Sequence, residues 1–269
     1  MIRGHLAAAA LGLAAAVEAA PYTEVFYPSG ELRIQAYLYK PPGDGPFPVV
    51  IYNHGAREGR ERQPEPFEHI GALFTGAGYA VLVPERRGYG KSDGQLWWQE
   101  TGRNPSAHVA RLEAETDDVL AAVEYLRGVP FADARRLAIV GWSVGGIVTM
   151  LALKRSSAFA AAVNQAGAAL IWDSNSYVRD ALDAAAERSM TPTLFMVAEN
   201  DRTTVSVRAP AHIYGRRGVP YRLMVYEAFS PPAPTRLPPG HALFSEQGLH
   251  LWGGDVVQFL DRYLRSPAR

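Results

Sequence analysis

Between residues 32 and 39, Leu32, Ile34, Ala36 and Leu38 alternate with Arg33, Gln35 and Tyr37, which predicts a half-exposed antiparallel strand. A partner strand over 24–27 precedes it across the Pro28-Ser-Gly30 turn. After the Pro/Gly loop 41–46 the pattern changes, because Pro48–Tyr52 is a continuous apolar run of the kind found in central parallel strands. Further strands are predicted at 79–83, 137–140, 159–165, 193–198 and 221–226. Helical segments fall between them at 67–77, 106–127, 146–153, 205–217 and 249–264, and a loop plus helix fills 168–188. In the long one, Val109, Leu112, Val119, Val123 and Leu126 fall near helical spacing, and Gly78 and Gly218 stop two others. Residues 85–105 read as one long loop.

Strands alternating with helices predict an α/β fold, a mostly parallel, doubly wound sheet of about eight strands flanked by helices. No repeat, linker or second core interrupts it, so residues 20–269 are expected to be one domain. The 27 residues between Gln165 and Thr193 leave room for a helix and little more, so no large lid is expected. The Pro-rich stretch 231–239 reads as a rim loop.

Composition narrows the partners. Lys plus Arg and Asp plus Glu both total 27, so there is no basic excess for nucleic acid. No basic amphipathic stretch suggests stable membrane association, and the body lacks an apolar run of spanning length. The first 19 residues differ: a positive end, the Ala/Leu run Leu6–Val17, then Val17-Glu18-Ala19. That is the pattern of a signal peptide cut after Ala19, which predicts export to the periplasm or beyond. The absence of cysteine removes disulfides, a thiol nucleophile and thiolate metal sites. None of the seven histidines has zinc-hydrolase spacing, so a zinc hydrolase is not expected. Oligomeric state is not written in the pattern.

The chemistry concentrates at Gly141-Trp-Ser-Val-Gly-Gly146, between a predicted strand and a predicted helix. Small residues two before and two after Ser143 are what a sharp strand-to-helix turn requires, and the helix N-terminus then favours negative charge at the serine. A serine hydroxyl needs a neutral imidazole to take its proton and a carboxylate to orient that imidazole. Asp201 follows a buried strand, with Glu199 as the reserve acid and a helix cap as its alternative role. His241 lies in a Gly-flanked loop before the closing helix, while its rival His250 lies at or inside that helix. His69, His108 and His212 fall on predicted helices as surface or packing residues. The chain order Ser, Asp, His matches the α/β-hydrolase arrangement. The oxyanion donors would be the backbone N–H groups of Val144 and of Ala56, in the loop His54-Gly55-Ala56, with His54 a brace. Trp142, Trp172, Trp97 and Trp98 either line a substrate pocket or pack under loops. Arg86 and Arg87 either recognise an acidic group or brace their loop.

Asn53-His-Gly55, Arg87-Gly-Tyr-Gly-Lys-Ser92, Gly141–Gly146, Asn200-Asp201 and Gly240-His241 together make residues 31–264 resemble the α/β-hydrolase superfamily, most closely its dienelactone-hydrolase and prolyl-oligopeptidase-like branch. The resemblance implies a cofactor-free serine hydrolase with Ser143, Asp201 and His241 as its triad. Dienelactone hydrolases carry a cysteine nucleophile, so the serine here turns the expectation to small carboxylic esters or thioesters, a carboxylesterase-like activity. The alternatives are an oligopeptidase-like peptidase and a non-catalytic binding protein on the same fold. Such peptidases generally carry a large extra N-terminal domain, for which residues 20–46 leave no room.

Overall fold

The computed structural model describes residues 21–265, which open with the hairpin β1 (Tyr22–Ser29) and β2 (Leu32–Tyr39). The predicted signal peptide lies outside the described residues. β3 (Phe47–Asn53), β4 (Ala80–Glu85), β5 (Ala132–Trp142), β6 (Phe159–Gln165), β7 (Thr193–Ala198) and β8 (Tyr221–Tyr226) complete one eight-stranded sheet in the order β1-β2-β4-β3-β5-β6-β7-β8. β2 pairs antiparallel with β1 and β4, and every pair from β4–β3 to β7–β8 is parallel. The continuous apolar runs predicted this: Val49, Ile51, Leu137, Ile139, Leu194 and Val197 are all fully buried, because helices cover both faces.

One face carries α3 (Pro105–Leu126), α4 (Val144–Arg155), α5 (Ser176–Arg188) and α6 (Val205–Arg217) over Val49, Ile51, Leu82 and Phe195. The other carries α1 (Glu68–Gly76) and α7 (Leu249–Leu264) over Val50, Tyr52, Val140 and Met196. The hydroxyl, carboxylate and imidazole carriers all follow carboxyl ends of parallel strands, where open α/β sheets build their sites. The 166–192 segment holds only turns and α5, so no large lid covers that edge. Among the described residues no helix is long and apolar enough to cross a membrane.

The structure corrects the sequence reading at several boundaries. The loop read over 85–105 contains a short helix, α2 (Trp97–Thr101), too brief to show a periodic pattern. α3 begins one residue earlier than predicted, with Pro105 in the first turn and the Asn104 side chain accepting from the Ser106 N–H. β4 runs through Pro84 to Glu85. Pro84 lies beyond the end of the β3–β4 pairing at Leu82 and opposite Ala36 of β2. His241–Phe244 and Glu246–Gly248 form single 3-10 turns before α7.

α3 departs most from its apolar pattern. Val109 is only partly buried, whereas Arg111, Glu115 and Asp118 are buried together with Leu112, Val119 and Ala122. These charges face the loop after β4. Glu115 accepts from Arg86 Nε at 2.7 Å and from Arg111 Nε at 3.0 Å, and Asp118 takes Arg87 in a two-pronged contact at 2.8 and 3.0 Å. Sequence reasoning left Arg86 and Arg87 open between ligand and brace, and the structure makes both of them braces. Replacing Glu115 with Ala leaves the Arg86 and Arg111 guanidiniums buried around a missing carboxylate, so an unfolding free-energy loss of roughly 3–5 kcal/mol is expected. Urea denaturation checks it, and a loss below about 1 kcal/mol would mean that the network contributes little.

Candidate active site

Ser143 sits at the turn between β5 and α4 with φ 56° and ψ −119°, a backbone region costly for a side-chain-bearing residue. Two glycines make the turn possible. A Cβ at Gly141 would run into the carbonyl of Gly145 and the Thr149 hydroxyl, and one at Gly145 would run into the carbonyl of Asn53. The Ser143 N–H donates to Gln165 O at 2.9 Å, so the neighbouring strand β6 also holds the turn. The spacing of small residues was legible in sequence; the Gln165 anchor was not, because it acts through a backbone carbonyl.

His241 meets Ser143 from the loop after β8. Its Nε2 lies 2.9 Å from Ser143 Oγ and its Nδ1 lies 2.8 Å from Asp201 Oδ2. A carboxylate only accepts, so Nδ1 carries the proton and Nε2 is free to accept from the serine hydroxyl. The imidazole is fully buried and Asp201 nearly so, which keeps water from competing for either bond. Asp201 does not cap α6: its other oxygen accepts from the Arg202 N–H at 2.7 Å, and Thr204 holds the cap position. Glu199 is exposed, and His250 lies exposed in the first turn of α7. Neither competitor from the sequence reading joins the cluster.

Two further residues bring the acid and imidazole loops together. The Asn200 carboxamide donates to Phe229 O at 2.8 Å and accepts from the Phe229 N–H at 2.9 Å, clamping the loop after β7 to the loop after β8. Gly240 lies so close to the Asn200–Asp201 peptide that a Cβ could not be placed there. The Asn200-Asp201 and Gly240-His241 pairs stood out in sequence, but the clamp itself needed the fold.

The loop after β3 closes the site from the opposite side. A Cβ on Gly55 would fall 3.3 Å from Ser143 Cβ, so this loop lies against the nucleophile. Val144 is the first residue of α4 and has no intrahelical acceptor for its N–H, and Ala56 is exposed next to Gly55. His54 is fully buried between Phe67, stacked at 5.6 Å, and the edge of Tyr89 at 4.6 Å. Its Nδ1–H donates to Gly55 O at 2.7 Å, and burial, with Arg86 and Arg57 nearby, pushes its pKa well below the usual histidine range. It is a neutral brace facing away from Ser143 chemistry.

The tryptophans separate. Trp142 packs beside His241, with ring centroids 5.8 Å apart. Trp172 is buried in the α3–α6 layer, while Trp97 packs on His108 and under the Arg111 guanidinium. Trp98 is 61% exposed on α2. Of the three substrate-binding candidates, only Trp142 therefore touches the Ser143–His241–Asp201 cluster.

Known proteins resemble this chain in part of its sequence and in its fold. Residues 66–177 match the Prolyl oligopeptidase family. The chain is 27% identical over 142 residues to the quorum-quenching protein AidA of Acinetobacter baumannii, an alignment covering 53% of this chain and 42% of that protein. Among solved structures, the acylaminoacyl peptidase of Pyrococcus horikoshii superposes with a TM-score of 0.72 at 18% identity, covering 94% of this chain and 43% of that one. Est1E from Butyrivibrio proteoclasticus, solved with ferulic acid bound, superposes with a TM-score of 0.66 at 18% identity, covering 90% of this chain and 100% of that one. The chain thus spans less than half the length of AidA and of the peptidase. Its sheet, with the sharp turn at Ser143, has the α/β-hydrolase fold of these solved structures.

Beneath the Ala56 loop, burial pushes the Glu85 carboxyl up from 4.5 to about 7, against the pull of Arg57 and then Arg86. A carboxyl raised in the folded state adds stability below its unfolded pKa and loses it as pH climbs through the folded one. The thermal midpoint of the wild type relative to Glu85→Gln is therefore expected to fall as pH rises from about 4.5 to 7. Calorimetry of both proteins across that window checks the sign, and a difference that stays flat or rises contradicts it.

Proposed function

We propose that this chain is an exported, carboxylesterase-like serine hydrolase working through an acyl-enzyme. Ser143 attacks the acyl carbon, and His241 takes the serine proton and later gives it to the leaving oxygen. Asp201 fixes the imidazole tautomer and balances the imidazolium. The Val144 and Ala56 N–H groups hold the oxyanion, at the N-terminus of α4 where the helix dipole adds to the stabilisation. Water then reverses the sequence on the acyl-enzyme, with His241 as base. The observation that carries the reading is the unbroken chain from Asp201 to His241 to Ser143 at 2.8 and 2.9 Å, ending on a serine held at positive φ.

A neutral, small or moderate acyl or aryl group is favoured by what surrounds the cluster. Three arginines of the loops after β3 and β4 are committed to internal partners: Arg57 to Glu85, Arg86 to Glu115 and Arg87 to Asp118. None of these three is free for an anionic acyl group, and Trp142 offers an apolar surface beside His241. Peptide cleavage is the second reading, favoured by the family match over residues 66–177. No metal or cofactor enters the proposed chemistry. Export rests on the pattern of residues 1–19, and the mature N-terminus is expected at Ala20. Terminal sequencing of protein recovered from the periplasm or medium tests that point; an uncleaved chain confined to the cytoplasm contradicts it.

The mechanism is tested with short-chain p-nitrophenyl esters and peptide p-nitroanilides in parallel. Wild type is expected to show a p-nitrophenol burst with the esters and faster turnover of them. Ser143→Ala and His241→Ala should each lose at least about 10⁴-fold in kcat, and His250→Ala should stay within about twofold. Preferential anilide turnover would move the assignment to a peptidase, and full activity in His241→Ala would remove His241 as the base.

A further inference from the structure

Ala56 is exposed in a loop whose flanking side chains, His54 and Arg57, are both buried beside Glu85. Arg57 is buried and forms an ion pair with Glu85 Oε2 through Nη2. The same guanidinium donates to Glu61 O at 3.3 Å and Gln63 O at 3.3 Å, and lies over the Tyr89 ring at 5.2 Å. On the other side of Ala56, the neutral His54 ring packs beside Glu85 without bonding it: its Nε2 lies 3.8 Å from the same oxygen and has no hydrogen-bond partner. The His54 carbonyl accepts from Arg86 Nη2 at 2.9 Å, and the neighbouring Asn53 carbonyl abuts Gly145 of the elbow. Glu85 is fully buried, and its second carboxyl oxygen, Oε1, has no hydrogen-bond partner. A group this costly to bury, at the last residue of β4 and one residue from Arg86, ties the nucleophile-facing loop to the sheet.

Resting on the oxyanion assignment made above, we propose that Glu85 is a positioning residue for the oxyanion loop, fixing the segment that carries the Ala56 N–H through its ion pair with Arg57. The protein scaffold could have filled this space with apolar side chains at equal or greater stability. What an ion pair adds is direction: a charge-assisted contact defines where the Arg57 stem leaves the backbone, and with it the path of the Gly55-Ala56 segment that carries the Ala56 N–H. An oxyanion donor works only when aimed at the place where charge develops, so a displacement of about 1 Å weakens catalysis while leaving ground-state binding nearly unchanged.

The test compares wild type, Glu85→Gln and the double variant Arg57→Met/Glu85→Leu. Each is measured for ester kcat and KM, for the second-order rate of Ser143 phosphonylation by a fluorophosphonate, and for thermal unfolding. Phosphonylation draws on the same oxyanion donors without requiring that esters be substrates, so wild type that labels but does not turn over esters sinks the esterase reading and leaves this test running. Glu85→Gln should lose about 10- to 100-fold in kcat and in labelling rate, with KM within about twofold. The double variant, free of unpaired charge, should regain wild-type thermal stability without regaining kcat or labelling rate. If Glu85→Gln does not fold, the double variant alone decides. Recovery of both rates along with stability, or a Glu85→Gln protein within about twofold of wild type, would overturn the proposal.

Discussion

Everything at this site depends on one serine being held where a side-chain-bearing residue resists being held. At φ 56° the Ser143 peptide is strained, and the strain persists because three neighbours leave no alternative. β5 and β6 clamp the residue's entry through the bond to Gln165 O, α4 begins immediately after it, and the loop after β3 presses against its Cβ. The gain is exposure of the hydroxyl at the carboxyl edge of the sheet, beside a helix N-terminus. Relaxing the turn would take Oγ away from His241 Nε2.

A second constraint is the burial of charge around the loops that frame the serine. Glu85, Arg86, Glu115, Arg111 and Asp118 are all removed from water, which costs several kcal/mol per ion before any pairing is counted. Each is then matched to a partner of fixed geometry, so the loops after β3 and β4 are locked to α3 and to each other. Such networks are weak evidence for stability and better evidence for specificity of arrangement. Here they surround the nucleophile-facing loop and leave Trp142 as the apolar surface next to the imidazole.

Much of the fold was legible along the chain because burial on both faces writes a distinct pattern. β2, β6, β7, β8, α6 and α7 were bounded correctly from apolar runs, glycine stops and helical spacing. The strand–Ser143–helix context, and the positions of Asp201 and His241 after buried strands, marked the right loops. α2 was missed because five residues cannot display a period, and β4 was cut short because Pro84 reads as a stop. α3 was read as an apolar stripe, which hid the fact that Arg111, Glu115 and Asp118 point the same way as Leu112 and Val119. A charge in sequence looks solvated until its partner is known.

The sequence by itself therefore determined the parallel sheet, the sharp turn at Ser143 and the set of residues eligible for the chemistry, since these follow from local sterics and from hydrophobic period. Only the tertiary structure decided between Asp201 and Glu199 and between His241 and His250, separated Trp142 from Trp97 and Trp172, and turned Arg86 and Arg87 from possible ligands into braces. Those choices depend on distances between residues 29 to 98 positions apart, and no local pattern encodes a distance across the fold. They were settled where loops from β3, β5, β7 and β8 converge, by which side chains reach one another there.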